Sequence, residues 1–340
     1  MTHELIQIIV QAIANQQNGK RQVLATVVDL DGSSYRKPGV RMLMDEDGNM
    51  TGAVSGGCVE KEVLRRAQRV FDSGEALVMT YDGRYRLGCE GVLYILLEPF
   101  KVSTDLQEQF FQNITLRRPF EVHCWYRKES DSVGAFGSLI YFGNGSSFSF
   151  STNRIEQDLR GLELFSQDFQ PLFKLIILGG EHDSVKLCSM AHLLGWEVEI
   201  LTSWREPRQL SDFPGATKVI PTSPDMMEFN AIDQETAVVL MSHNFSLDLK
   251  YLIKLKDSRP AYLGIIGSIA RRDQLHAQLL ELNPETSLAF IEQIHSPAGL
   301  NIGAVTPAEI ALSILSEILS ITRKKEFDSL QKQTIGVSSR

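Results

Sequence analysis

The run KLIILGG, residues 174–180, decides the fold. Leu175, Ile176, Ile177 and Leu178 follow one another with no polar residue between them, and two glycines come next. A continuous apolar run ending in glycine is what a strand buried on both faces requires. Downstream, SVKLCSMAHLLGW (184–196) has helical spacing, and EVEILTS (197–203) and TKVIP (217–221) read as further strands. TAVVLMSH (236–243), a helix over 246–256 and AYLGIIGS (261–268) continue the alternation. Strands alternating with helices predict a doubly wound parallel sheet, here over residues 170–325. Its last helix opens at TPAEIALSILSEIL, with Thr306 as N-cap, Pro307 in the first turn and Glu309 closing a capping box.

Upstream of residue 171 the rhythm differs. Leu5, Ile8, Ile9, Ala12 and Ile13 predict an amphipathic helix over 3–17. Strands are expected at 22–30, 40–48, 76–81, 91–100 and 120–127, with a hairpin at 138–151. Helices are expected at 58–74, stopped by Gly74, and at 102–117. This half reads as a mixed α+β domain over residues 1–155, with the boundary between 152 and 172.

At 340 residues the chain has room for two such domains. Thirty-four basic against 42 acidic side chains leave a net charge of −8, which argues against nucleic acid or a membrane surface as partner. The apolar stretch Leu5–Ala14 is broken by Gln7 and Gln11 and is too short to span a bilayer. The four cysteines, Cys58, Cys89, Cys124 and Cys188, form no CxxC pair, so a zinc ribbon is not expected. Reduced thiols and no secretory leader give a cytoplasmic expectation.

Chemistry concentrates first in AVSGGCVEKEV (53–63). A helix beginning after Gly57 puts Cys58 in its first turn, where backbone N–H groups and the helix dipole favour thiolate. The upstream loop SSYRKPGVR supplies Ser33, Ser34, Arg36, Lys37 and Arg41. Folded over the same helix end, with Ser55, Gly56 and Gly57, it would make an anion site around a soft sulfur ligand. The competing reading is a tight turn in which Cys58 merely packs. Cys89, in RLGCEG, reads as a turn residue unless it approaches Cys58; Cys124 and Cys188 read as core.

LGGEHDS (178–184) stands where a dinucleotide-binding sheet places its glycine turn. Gly179, Gly180 and His182 are candidate binding residues there, as is His243 at a neighbouring strand end. Glu181 in place of the second glycine, Asp183 behind it, and Thr202-Ser203 where an acid would hold a ribose all argue against NAD(P). Gly267 and Ser268, ahead of Arg271 and Arg272, offer a second anion cradle or a solvated first turn. HSPAGLNIGAVTPAE (295–309) reads as a binding loop or an irregular connection.

In order along the chain, GSSYRKPGVRMLM, GAVSGGCVE, LGCEGVLYILLEP, GGEHDSVKLCSMAHLLGW, YLGIIGS and IHSPAGLNIGAVTPAEIALSILSEI resemble the XdhC/CoxI family of xanthine dehydrogenase accessory proteins. The resemblance implies an XdhC/CoxI-type N-terminal domain and a Rossmann-like C-terminal one. It implies a chaperone that binds the molybdenum cofactor transiently, guards it during sulfuration and passes it to a xanthine dehydrogenase-type apoenzyme. Cys58 is the residue it carries over as cofactor and metal contact, with Cys89 beside it. A cysteine desulfurase enters as a second partner by the same implication. A homodimer is expected from the general habit of soluble proteins.

Two other classes remain beside this one. A nicotinamide-dependent oxidoreductase would use the Rossmann-like half and is opposed by Glu181 and Thr202. A scaffold that contacts a partner enzyme without holding cofactor would not need Cys58.

Overall fold

The computed structural model describes residues 1–32, 37–55, 57–83, 91–151, 160–227, 229 and 232–325. The chain divides into two compact units, Met1–Pro171 and Leu172–Arg340. In the first, α1 (Thr2–Gln17) precedes β1 (Gln22–Asp31), β2 (Arg41–Asp45) and β3 (Met50–Gly52). Then come α2 (Cys58–Ser73), β4 (Ala76–Asp82), β5 (Val92–Pro99) and α3 (Thr104–Thr115). The unit ends with β6 (Phe120–Tyr126), β7 (Ser132–Gly134), β8 (Gly137–Phe142), β9 (Ser147–Ser149) and β10 (Glu163–Phe169).

These strands make two antiparallel sheets, ordered β3-β2-β1-β5-β4-β7 and β10-β6-β8-β9. Side chains alternate across the larger sheet, so its two faces build two cores. Val23, Ala25, Met42, Met44, Ile95 and Leu97 pack against α2, whose Val59, Val63, Ala67 and Val70 form one apolar stripe. Leu24, Leu43, Val78 and Leu96 face the other way, toward α1, α3 and the smaller sheet. Gly74 ends α2 in the left-handed conformation expected of a glycine stop, with φ 72°.

The second unit begins with β11 (Lys174–Leu178), α4 (His182–Leu193), β12 (Glu197–Ser203), β13 (Lys218–Thr222) and β14 (Thr236–Leu240). It continues with α5 (Phe245–Leu255), β15 (Tyr262–Ile265), α6 (Ile269–Leu282), α7 (Leu288–Glu292), β16 (Ile294–His295) and α8 (Pro307–Thr322). All six strands are parallel, in the order β13-β12-β11-β14-β15-β16. This is the doubly wound arrangement expected from KLIILGG, with the direction of winding reversing between β11 and β14. Every residue of β11 and of β14 is buried, which is why both read as unbroken apolar runs. At α8 the capping box forms as expected: Glu309 Oε2 accepts from Thr306 N at 2.8 Å and Thr306 Oγ1 from Glu309 N at 3.4 Å.

The first unit extends past residue 155. Strand β10 pairs with β6 along its whole length, carrying the unit to Pro171. Its sequence, ELFSQDF, buries only Gln167 and Phe169, so a strand at a sheet edge carries the composition of a linker. No described helix is long and apolar enough to cross a membrane.

Candidate functional site

Cys58 is the first residue of α2, and Gly57 is its N-cap. Gly57 adopts φ 111°, a conformation closed to side chains with a Cβ, so the turn into the helix depends on glycine. Glu60, in the first turn and 8% exposed, reaches back over this turn. Its carboxylate accepts from Gly57 N and from Ser55 N, both at 2.6 Å. Two of the backbone N–H groups ahead of Cys58 are therefore satisfied from within the protein. Ser55 and Gly57 thus frame the turn into α2. Arg36, Gly56, Cys89 and the Cys58 thiol, together with Ser33 and Ser34, lie outside the described residues.

Arg41 does not join them. It shares the face of β2 that carries Leu43, whereas α2 packs on the face carrying Met42 and Met44. Its guanidinium is buried, donates to Gly39 O at 3.0 Å and to Gln167 Oε1, and stands 5.3 Å from the Phe169 ring centroid. Cys124 Sγ lies 4.0 Å away. Ser138 completes this buried group: its Oγ is 3.1 Å from Cys124 Sγ and donates to Glu98 Oε1 at 2.5 Å, and its N donates to Glu98 Oε2 at 2.8 Å. Burial pushes the Glu98 carboxyl up to about 7, against the Ser138 hydrogen bonds and the Arg41 charge, and pushes the Cys124 thiol up as well. Cys124 and Cys188 are both buried, as core residues should be.

In the second unit the glycine turn closes on its neighbours. A Cβ at Gly179 would lie 2.4 Å from Met241 O, and one at Gly180 would lie 2.9 Å from Thr202 Cγ2. Glu181 is the N-cap of α4, and His182, its first residue, is exposed. Asp183 Oδ2 is 3.4 Å from His243 Nε2, and His243 takes a left-handed φ of 52°. The strand end before it is tied down: Ser242 Oγ donates to Asp248 Oδ1, and Arg271 donates to Asp248 Oδ2 at 2.7 Å. Burial raises the Asp248 pKa, opposed by the hydrogen bonds from Ser242 and Arg271. Ser268 caps α6 by accepting from Arg271 N at 3.2 Å. Gly179, Gly180, His182 and His243 thus meet at the point where the winding reverses, and Ser268 is joined to them through Arg271 and Asp248. Among the described residues, no group of three or more His, Cys, Asp or Glu is placed to hold a metal.

Residues 16–82 match the model of the XdhC and CoxI family, and residues 175–318 that of the XdhC Rossmann domain. A Bacillus subtilis protein, by name a probable component of xanthine dehydrogenase, is 30% identical over 91% of this chain and 95% of its own length. The chain belongs to the XdhC/CoxI family. Another relative, the molybdenum cofactor insertion chaperone PaoD of Escherichia coli, is 26% identical over 94% of this chain and 89% of its own. A crystal structure of a xanthine dehydrogenase from Bacillus halodurans superposes with a TM-score of 0.74, at 26% identity, covering 94% of this chain and 97% of that one.

Within this XdhC/CoxI chain, Glu60 stands outside the residues that the sequence singles out as candidates. A signal was present, since Glu60 stands three residues after Gly57 in the spacing of a capping box. The pairing of Asp248 with Arg271, which ties two strand ends together, is equally unannounced. No local pattern joins residues 23 positions apart on different helices.

Proposed function

We propose that this chain is a maturation factor for a molybdenum hydroxylase. It binds the molybdenum cofactor as cargo, shields it while its terminal sulfur is installed, and releases it to a xanthine dehydrogenase-type apoenzyme. The names of the relatives support the cofactor and the client, and the single structural observation that carries the reading is the position of Cys58. Cys58 is the first residue of a 16-residue helix, and at that position the positive end of the backbone dipole favours thiolate over thiol. That suits a soft ligand that must hold molybdenum or a transferable sulfur and then let go. Glu60 supports the role by bonding the backbone N–H groups of Ser55 and Gly57, so that Cys58 follows a fixed stretch of backbone.

Nothing in this role asks for a general base, and the chain acts by binding and release. The cytoplasm is its place of work, a cysteine desulfurase its sulfur source, and a homodimer its working form. Transfer is the direct test. Cargo-loaded protein should activate a cofactor-free xanthine dehydrogenase-type enzyme faster than free cofactor does, and the Cys58→Ala protein should give no advantage. Equal activation by free cofactor and by loaded protein would exclude the delivery role.

A further inference from the structure

The carboxyl edge of the parallel sheet carries a cleft between the ends of β12 and β13 and the start of α5. It has a volume of about 530 Å³, within the range of small-molecule sites. The loops after β12 and β13 and the start of α5 enclose it, with Ser203, Trp204, Arg205, Thr222, Asp225 and Lys250 on its walls. Trp204 is 54% exposed, an unusual display for so large an apolar ring. The Arg205 guanidinium lies 5.4 Å from the ring centroid of Trp204. Among the described residues, neither Arg205 nor Lys250 has a carboxylate partner within ion-pair distance.

This is the side of a doubly wound sheet on which the ribose of a dinucleotide sits, held by an acid at the end of the second strand. Here that strand ends in Ser203-Trp204-Arg205, which replaces a diol-binding carboxylate by an aromatic face and a cation. The route onward to a second nucleotide is shut. Thr202 Cγ2, Arg208 and the Phe213 ring crowd the Gly180 turn, and Glu181 and Asp183 bring carboxylates to the end of α4 where a diphosphate would rest.

We propose that this cleft binds a nucleoside monophosphate. The base stacks on Trp204, as bases do on exposed aromatic side chains. The phosphate pairs with Arg205 and Lys250, and the ribose faces the hydroxyls of Ser203 and Ser246. Cys58 has no part in this site, so the proposal is independent of the cargo reading.

Equilibrium dialysis and calorimetry with AMP, GMP, CMP and UMP, alongside inorganic phosphate, uncharged nucleosides and NAD, test it on the full chain. At least one monophosphate should bind saturably below millimolar concentration, and its nucleoside and inorganic phosphate should each bind at least about tenfold more weakly. Trp204→Ala should weaken binding about tenfold or more, with Trp204→Phe restoring most of it. Arg205→Ala should weaken the monophosphate and leave the nucleoside unchanged. Unaltered thermal melting would establish that these exposed substitutions leave the fold intact. No monophosphate binding at millimolar concentration, equal binding by Trp204→Ala, or NAD binding more tightly than every monophosphate would each overturn the proposal. Molybdenum retention is read separately, so failure here leaves the cargo role standing and failure there leaves this site standing.

Discussion

The Glu60 carboxylate accepts a hydrogen bond from the Gly57 amide at 2.6 Å, and its other oxygen accepts from Ser55 N. One buried carboxylate therefore sets the turn that delivers Cys58 to the head of α2. Hydrogen bonds to a charged group contribute about 1.5–3 kcal/mol each, net of solvation. Glu60→Ala, which removes two of them, should lower the unfolding free energy by about 3 kcal/mol in urea titration. It should also reduce cofactor retention with Cys58 intact. Glu60→Gln, which keeps one acceptor, should fall between the two proteins on both measures.

Glu98 makes the first unit sensitive to pH. Its pKa rises from an ordinary 4.5 to about 7 on folding, because burial opposes ionisation. Between those values the native state holds the extra proton, so stability from this group is complete below about pH 4.5 and is lost as pH rises through 7. The loss amounts to something on the order of 3 kcal/mol. Glu98→Gln can still accept from Ser138 N and can donate to Ser138 Oγ. It should flatten the decline between pH 5 and 8 when both proteins are unfolded in urea across that range. Parallel pH profiles for the two proteins would remove Glu98 as the cause.

The glycine turn after β11 should resist substitution because of backbone and not because of ligand. Gly179→Ala would put its Cβ against Met241 O at φ 137°, so the second unit should lose several kcal/mol or fail to fold. Gly145→Ala, at φ 85° with nothing within 4 Å, should cost about 1 kcal/mol. Thermal melting of the two variants side by side reads the contrast.

Asp248 has no exposed surface and is bonded to Arg271 and Ser242. Asp248→Ala leaves the partly buried Arg271 without its anion, which should cost about 2–4 kcal/mol. Arg272→Ala, which loses a solvent-facing pair with Asp273 and a long 3.4 Å hydrogen bond to Ser296 O, should stay within about 1 kcal/mol of the parent protein. Chemical denaturation of the two variants separates a tied strand end from a surface ion pair.

Much of this architecture could be read in the residues themselves. Strands β11 and β14 declare themselves because burial on both faces leaves only apolar residues after their opening Lys174 and Thr236, and α8 because Thr306, Pro307 and Glu309 mark its start. Strand β10 did not, since an edge strand facing solvent needs few apolar residues, and three-residue β3 and β7 are too short for any period to develop. The start of α2 at Cys58 followed from glycines meeting a helical stripe. The direction of Arg41 did not follow, because a strand's sequence does not say which of its faces meets α2. The cleft beside Trp204 is made by two loops and the start of α5, which are separate in sequence, and no single stretch announces it.

The central claim is that the sulfur of Cys58 holds the cargo. It is tested most directly by counting molybdenum atoms per chain, by mass spectrometry, in protein purified after expression with the cofactor pathway active. The parent chain should carry close to one atom, and Cys58→Ala should carry almost none while melting at the same temperature. Equal molybdenum in both proteins, or none in either, would contradict the account.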